Sequence, residues 1–158
     1  MNGISNHFIQ KVFDDLPTVK FDGVYSCNSI PTTILNKKSF FLICNLSKAN
    51  ETGSHFISLI KKRGSIAIYD SLATEFKNYP SCLLQTLANY KVCTKIKHSI
   101  QDILSHFCGF YSIYFILKEQ SNIKTKRILL SLKQHSKNND EKCIRNIVIL
   151  QKSFEINE

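Results

Sequence analysis

The sequence predicts an α+β fold, a small central and mostly antiparallel sheet flanked by helices, and three observations carry that prediction. Residues 39–46 contain Phe40-Phe41-Leu42-Ile43-Cys44, a near-continuous apolar run of strand length, the pattern of a strand covered on both faces. Residues 55–60 and 65–70 are two further strand-length runs, joined by Lys61-Lys62-Arg63-Gly64 as a hairpin turn. Residues 110–117 are apolar nearly all round, which places a helix there in the middle of the molecule.

The remaining elements follow from shorter signals. Ser5 caps a predicted helix over 6–15 whose Phe8, Ile9, Val12, Phe13 and Leu16 share one face, and Pro17 closes it. Residues 21–31 contain Asp22-Gly23 and a polar run before Pro31, so a short extended piece and loops are expected, followed by a helical turn over 31–37. Pro80 precedes a helix over 81–90 with Leu83, Leu84, Leu87 and Tyr90 at helical spacing. Residues 92–98 alternate as a half-exposed strand, and 99–107 form a polar loop. Residues 125–135 read as an amphipathic helix through Ile128, Leu129 and Leu132, and 137–140 as a polar break. Residues 142–150 fit helix or strand, with helix preferred.

Composition bounds the function classes. The 158 residues read as one domain, 1–158, with 43% hydrophobic and 21% charged residues, able to bury a sizeable core without disulfides. No leader pattern opens the chain and no apolar run is long enough to span a bilayer, so a soluble, intracellular protein without a membrane partner is expected. Six cysteines lie scattered without a Cys-x-x-Cys pair, which indicates neither a zinc site nor a secreted disulfide framework, and most should be reduced. The formal charge of +9 and pI near 9.3 would attract a polyanion, but no nucleic-acid-reading motif accompanies the lysines. A solvated lysine-rich surface and non-specific phosphate contact are equally compatible with them.

The chemistry centres on Gln101 to Tyr111, a polar loop that ends in Cys108-Gly109 and runs into the buried helix. A thiol at the first turn of such a helix sits where unpaired N–H groups and the helix dipole favour the nucleophilic thiolate. Acyl transfer by cysteine needs an imidazole, an acceptor to orient it, and oxyanion donors besides. His55 at one strand end and Asp70 at the next lie side by side in a hairpin, so they supply base and orienting acid. The Gln101 amide could meet the Cys108 N–H at one oxyanion. Each residue also has a plainer role: Cys108 as a small core residue, His55 as a half-buried polar side chain, Asp70 as a turn initiator. His98 and His106 compete for the base. His106 lies only two residues from Cys108, His98 has no acid at comparable spacing, and His7 and His135 fall on predicted surface helices.

Three stretches carry a family resemblance: Asn45 through His55-Phe56, Ile68-Tyr69-Asp70-Ser71-Leu72, and Gln101 through Cys108-Gly109-Phe110-Tyr111. They resemble the adenovirus-type (adenain-like) cysteine proteases, including enzymes of other large DNA viruses and of self-synthesising, Maverick-type transposons, which are related to the proteases of ubiquitin-like modifiers. Phe21 to Ser26 is similar to the family's early substrate-cleft loop. The resemblance implies a cysteine-protease fold with the nucleophile Cys108 at the N-terminus of the central helix, His55 as base, Asp70 as orienting acid and Gln101 as oxyanion donor. It implies cleavage of virion or element-encoded precursor proteins at Gly-containing sites, residence in the host nucleus or cytoplasm and in the virion, and no metal or organic cofactor. It also implies stimulation by DNA and by an activating peptide, for which Cys93 is the candidate disulfide partner.

The chain departs from the pattern in four places. Phe56 stands where the family often has Trp, Asp70 where adenoviral enzymes commonly use Glu, and Asp102 where Gly is usual; the C-terminal part is shorter. A carboxylate at Asp102 would oppose oxyanion charge unless it turns outward. Two alternatives stand beside the processing protease. One is a deubiquitinating or modifier-removing protease acting on host conjugates, which Asp70 favours, and the other is an inactive DNA-binding scaffold that retains the fold.

Overall fold

The computed structural model describes residues 4–51, 53–134 and 136–156. His135, at the end of a predicted helix, and Thr52, in the stretch leading to His55, lie outside them. Five strands form one sheet in sequence order: β1 (Val24–Ser26), β2 (Phe40–Asn45), β3 (Phe56–Lys62), β4 (Ser65–Tyr69) and β5 (Lys91–Thr94). The central pairs β2–β3 and β3–β4 are antiparallel, whereas β1 and β5 join the edges in parallel, so the sheet is mixed. Parallel edges need crossovers, and α2 (Thr32–Leu35) and α3 (Ser81–Leu87) lie on them.

Every residue of β2 is buried, because helices cover the sheet on both sides. On one side Phe41, Ile43, Phe56 and Ile60 pack with α1 (Asn6–Asp14), α4 (Cys108–Gln120) and α6 (Asn139–Glu155) through Ile9, Phe13, Tyr111, Phe115, Ile147 and Leu150. On the other, Phe40, Leu42, Ile57, Leu59, Ile66 and Ile68 meet Ile34, Leu35, Leu83 and Leu87. Phe56 and Ile60 thus face one side of the sheet and Ile57 and Leu59 the other, as successive strand residues do. In α4 all residues from Tyr111 to Leu117 are buried, which makes it the central helix. Ser5 caps α1, its Oγ accepting from the Phe8 N–H at 3.2 Å.

Several boundaries differ from expectation, each for a physical reason. The hairpin turn is only Arg63-Gly64, both with positive φ (51° and 81°), the signature of a tight type I′ connection. Lys61 is not in the turn: it is buried in β3, its ammonium donating to the Leu35 carbonyl at 2.8 Å and lying over the Tyr90 ring. β5 ends at Thr94 because the chain leaves the edge, and Ile100 and Gln101 donate their N–H groups to the Ser71 carbonyl at 2.9 and 3.2 Å.

The helix expected over 125–135 is α5 (Ile123–Ile128) and stops early. Buried Asn146 on α6 takes over its backbone bonding, accepting from the Leu130 N–H at 2.7 Å and donating to the Leu130 carbonyl at 2.9 Å. The expected polar break at 137–140 instead contains the start of α6, which spans the helix preferred for 142–150. No described helix is long and apolar enough to cross a membrane.

Candidate active site

His55 stands one residue before β3 and Asp70 one residue after β4, so the hairpin delivers both to the end of the sheet that faces the start of α4. The His55 Nε2 and the Asp70 Oδ1 lie 2.7 Å apart. Both side chains are nearly withdrawn from solvent, at 12% and 4% exposure, so water screens their interaction little. Asp70 is fixed by three further donors: the Leu72 N–H on Oδ1 at 2.9 Å, and the Thr74 N–H and the Tyr79 hydroxyl on Oδ2 at 3.2 and 3.0 Å. The aspartate therefore holds a turn and a histidine ring at once. Burial opposes ionisation of Asp70, but His55 and these hydrogen bonds outweigh it and hold the carboxyl below its usual range.

Cys108 opens α4, and Phe107 before it supplies no capping side chain, so first-turn N–H groups are left for an anion. Burial alone would raise the thiol. Hydrogen bonding to His55 and to the Phe56 and Gly109 N–H groups overcomes that and lowers the Cys108 pKa. With Nε2 occupied by Asp70, Nδ1 is the ring nitrogen left for Cys108. Burial disfavours the imidazolium as well, yet Asp70 and Cys108 push His55 up to about 9. Each shift favours the charged form of its group in the presence of the other.

Gln101 is buried beside this pair, lining with His55, Cys108, Phe56, Ile4 and Glu51 a cleft of about 630 Å³. Its Oε1 accepts from the Ser71 hydroxyl and its Nε2 donates to the Ser105 carbonyl at 2.7 Å. One amide hydrogen is thereby committed and the second remains for the cleft. Asp102 is exposed, and its carboxylate accepts from the Leu104 N–H at 2.8 Å within its own loop. It does not line the cleft that holds Cys108.

The structure thus brings His55, Asp70, Gln101 and Cys108 together. His106 borders the same cleft but is exposed, whereas His7 and His98 are exposed and lie outside it. Cys93 is half-buried on β5, at the far edge of the sheet, and does not line the cleft.

Supporting residues went unread in the sequence. Asp140, in the first turn of α6, accepts from the Ser105 and Tyr111 hydroxyls at 2.7 and 2.8 Å, and Asn139 donates to the Ile100 carbonyl at 2.7 Å. Both hold the loop before Cys108. Asp140 lies after a polar stretch with no periodic signal, and Tyr79 precedes Pro80 like any loop residue. Among the described residues no cluster of histidine, cysteine or carboxylate side chains suits a metal ion.

Compared with known proteins, the chain matches no family model and no curated sequence significantly.

Proposed function

We propose that the protein is a cysteine endopeptidase in which Cys108 attacks a peptide carbonyl. The observation that carries this reading is the His55–Asp70 pair, 2.7 Å apart, with His55 lining one cleft together with Cys108 and Gln101. The Cys108 thiolate forms the C–S bond, and the carbonyl electrons move to an oxyanion that the Cys108 N–H and the Gln101 amide face. The His55 imidazolium then gives its proton from Nδ1 to the departing amine, leaving a thioester. His55 next removes a proton from water, which attacks that thioester and releases the acid and the thiol. Asp70 keeps the ring in one tautomer throughout.

The substrate class follows from the motif-level resemblance: virion or element-encoded precursor proteins, cut at Gly-containing junctions. The formal charge of +9 supports DNA as a stimulating partner, and an activating peptide belongs to the same reading. The test is hydrolysis of peptides carrying a Gly-Gly junction, with and without DNA. Wild type should cleave and Cys108→Ala should not, at unchanged thermal stability; retained cleavage by the variant overturns the reading. Asp70 in place of Glu favours a second one, removal of a ubiquitin-like modifier, and rapid labelling of Cys108 by modifier probes with a C-terminal electrophile would select it.

A further inference from the structure

Outside the cleft, the described structure holds a pair of thiols that this chemistry does not use. Cys27 follows β1 and is fully buried; Cys82 lies in the first turn of α3 and is half-buried. They are 55 residues apart in sequence, and their sulfurs are 2.7 Å apart. Both are free. That separation exceeds the covalent S–S length of ~2.05 Å by only about 0.7 Å, so closing a bond needs little movement of either element. Cys44 and Cys143 are wholly buried, and Cys108 belongs to the cleft.

We propose that Cys27 and Cys82 form a redox-modification site, closed to a disulfide by hydrogen peroxide and reopened by small thiols. The half-buried Cys82 meets the oxidant first. Its thiolate attacks one peroxide oxygen, the O–O bond breaks, and with a proton the other oxygen leaves as water, giving a sulfenic acid. The Cys27 sulfur then attacks the Cys82 sulfur, its thiol proton leaves with the hydroxyl as a second water, and the disulfide remains. Two thiols and one peroxide thus give one disulfide and two waters. Burial and the neighbouring Cys82 thiol push Cys27 up to about 12, which leaves the first attack to Cys82.

The bond would act as a staple on one wall of the cleft. Ser26, next to Cys27, lines the cleft, and Cys27 donates its N–H to the Ser47 carbonyl at 3.4 Å. The adjacent Asn28 side chain accepts from the N–H of Ala49, another cleft residue, at 3.0 Å. Oxidation would tie this wall to α3 on the far face of the sheet.

The folded chain, carrying Cys108→Ala so that the cleft thiol does not compete, is treated with stoichiometric peroxide, alkylated and digested with trypsin without reduction. The expected product joins the peptides 21–37 and 78–91, with the mass of two hydrogens lost, and it disappears on reduction or in Cys82→Ser. The oxidised form should melt on the order of 10 °C above the reduced form, since the bond closes a loop of more than fifty residues. Cys82→Ser should melt with the reduced form and show no such rise. Alkylation of both thiols after peroxide, Cys82 sulfinic acid without a cross-link, or Cys82 joined to another cysteine would overturn the site. A cross-link without a rise in melting temperature would overturn the staple.

Discussion

Replacing Asp70 by Asn tests the active-site reading most directly, because it keeps the size and the turn while removing the charge that faces His55. The imidazole lies about 2.5 pH units above its usual 6.5, at about 9, which corresponds to about 3 kcal/mol in favour of the imidazolium. At 2.7 Å and 4% exposure, Asp70 supplies much of that preference. Burial is the largest single influence on His55 and acts against the charge, so the variant's imidazole should titrate well below about 9. Cys108 then loses its cationic partner, and the penalty of burial raises the thiol to or above the ordinary range. A thiol with a pKa near 8.5 is only ~3% ionised at pH 7, so alkylation of Cys108 there should slow by up to about thirty-fold; the lower intrinsic nucleophilicity of an acidic thiolate trims that factor.

The assay is the pH dependence of Cys108 modification by iodoacetamide, read on the peptide that carries it, with the His55 ring proton followed by NMR. In wild type the ion pair should appear as pH rises through the lowered thiol pKa and disappear through about 9 as His55 deprotonates. The stability that the raised histidine contributes has the same sign: present below 6.5 and lost as pH rises through about 9. That from the depressed Asp70 carboxyl is present above 3.8 and lost as pH falls through its lowered value. A wild-type thiol titrating as one ordinary group near 8.5, or an Asp70→Asn profile superimposable on wild type, would refute the reasoning.

Three other outcomes follow from particular contacts. Gln101→Ala should lower kcat by about 10²–10³ in the peptide assay while leaving the alkylation profile of Cys108 in place, since alkylation develops no oxyanion. Gly109→Ala puts a Cβ 2.5 Å from the Ile4 Cγ1 and 2.7 Å from its Cδ1, which should cost about 1–3 kcal/mol in thermal unfolding; adding Ile4→Ala should restore most of it. Arg63→Asn replaces a residue held at φ 51° by one that tolerates it, and should raise the melting temperature by about 2 °C, with alkylation of Cys108 unchanged.

Three of the four catalytic candidates were legible because they stand at element ends that hydrophobic patterning can locate: His55 and Asp70 at the hairpin ends, Cys108 where a polar loop meets an apolar helix. Their supports were not. Tyr79, Asn139 and Asp140 act through single side-chain hydrogen bonds to partners 9 to 39 residues away, and no periodicity marks such contacts. The same cause defeated the helix over 125–135, whose apolar spacing is helical but whose Leu130 backbone is bound by Asn146. The parallel edges were unreadable for a related reason. β1 and β5 are only 3 and 4 residues long, and which strand a short segment joins depends on where α2 and α3 return the chain.

Ser71 ties the two halves of the site together. Its neighbour Asp70 orients His55, while its own carbonyl accepts the N–H groups of Ile100 and Gln101, and its hydroxyl donates to the Gln101 amide oxygen. His55 and Gln101, the proposed base and oxyanion donor, are thus anchored to consecutive residues of one turn, and the start of α6 clamps the other end of the loop through Asp140 and Ser105. Cys108 lies three residues beyond Ser105, at the start of a helix buried nearly all round. Its position relative to His55 is therefore set by core packing and not by loop flexibility, as the proposed role of nucleophile requires. The Asp102 carboxylate is satisfied within this clamped loop by the Leu104 N–H. Turned to its own backbone and to solvent, it leaves the proposed oxyanion position to Gln101 and the helix N–H groups.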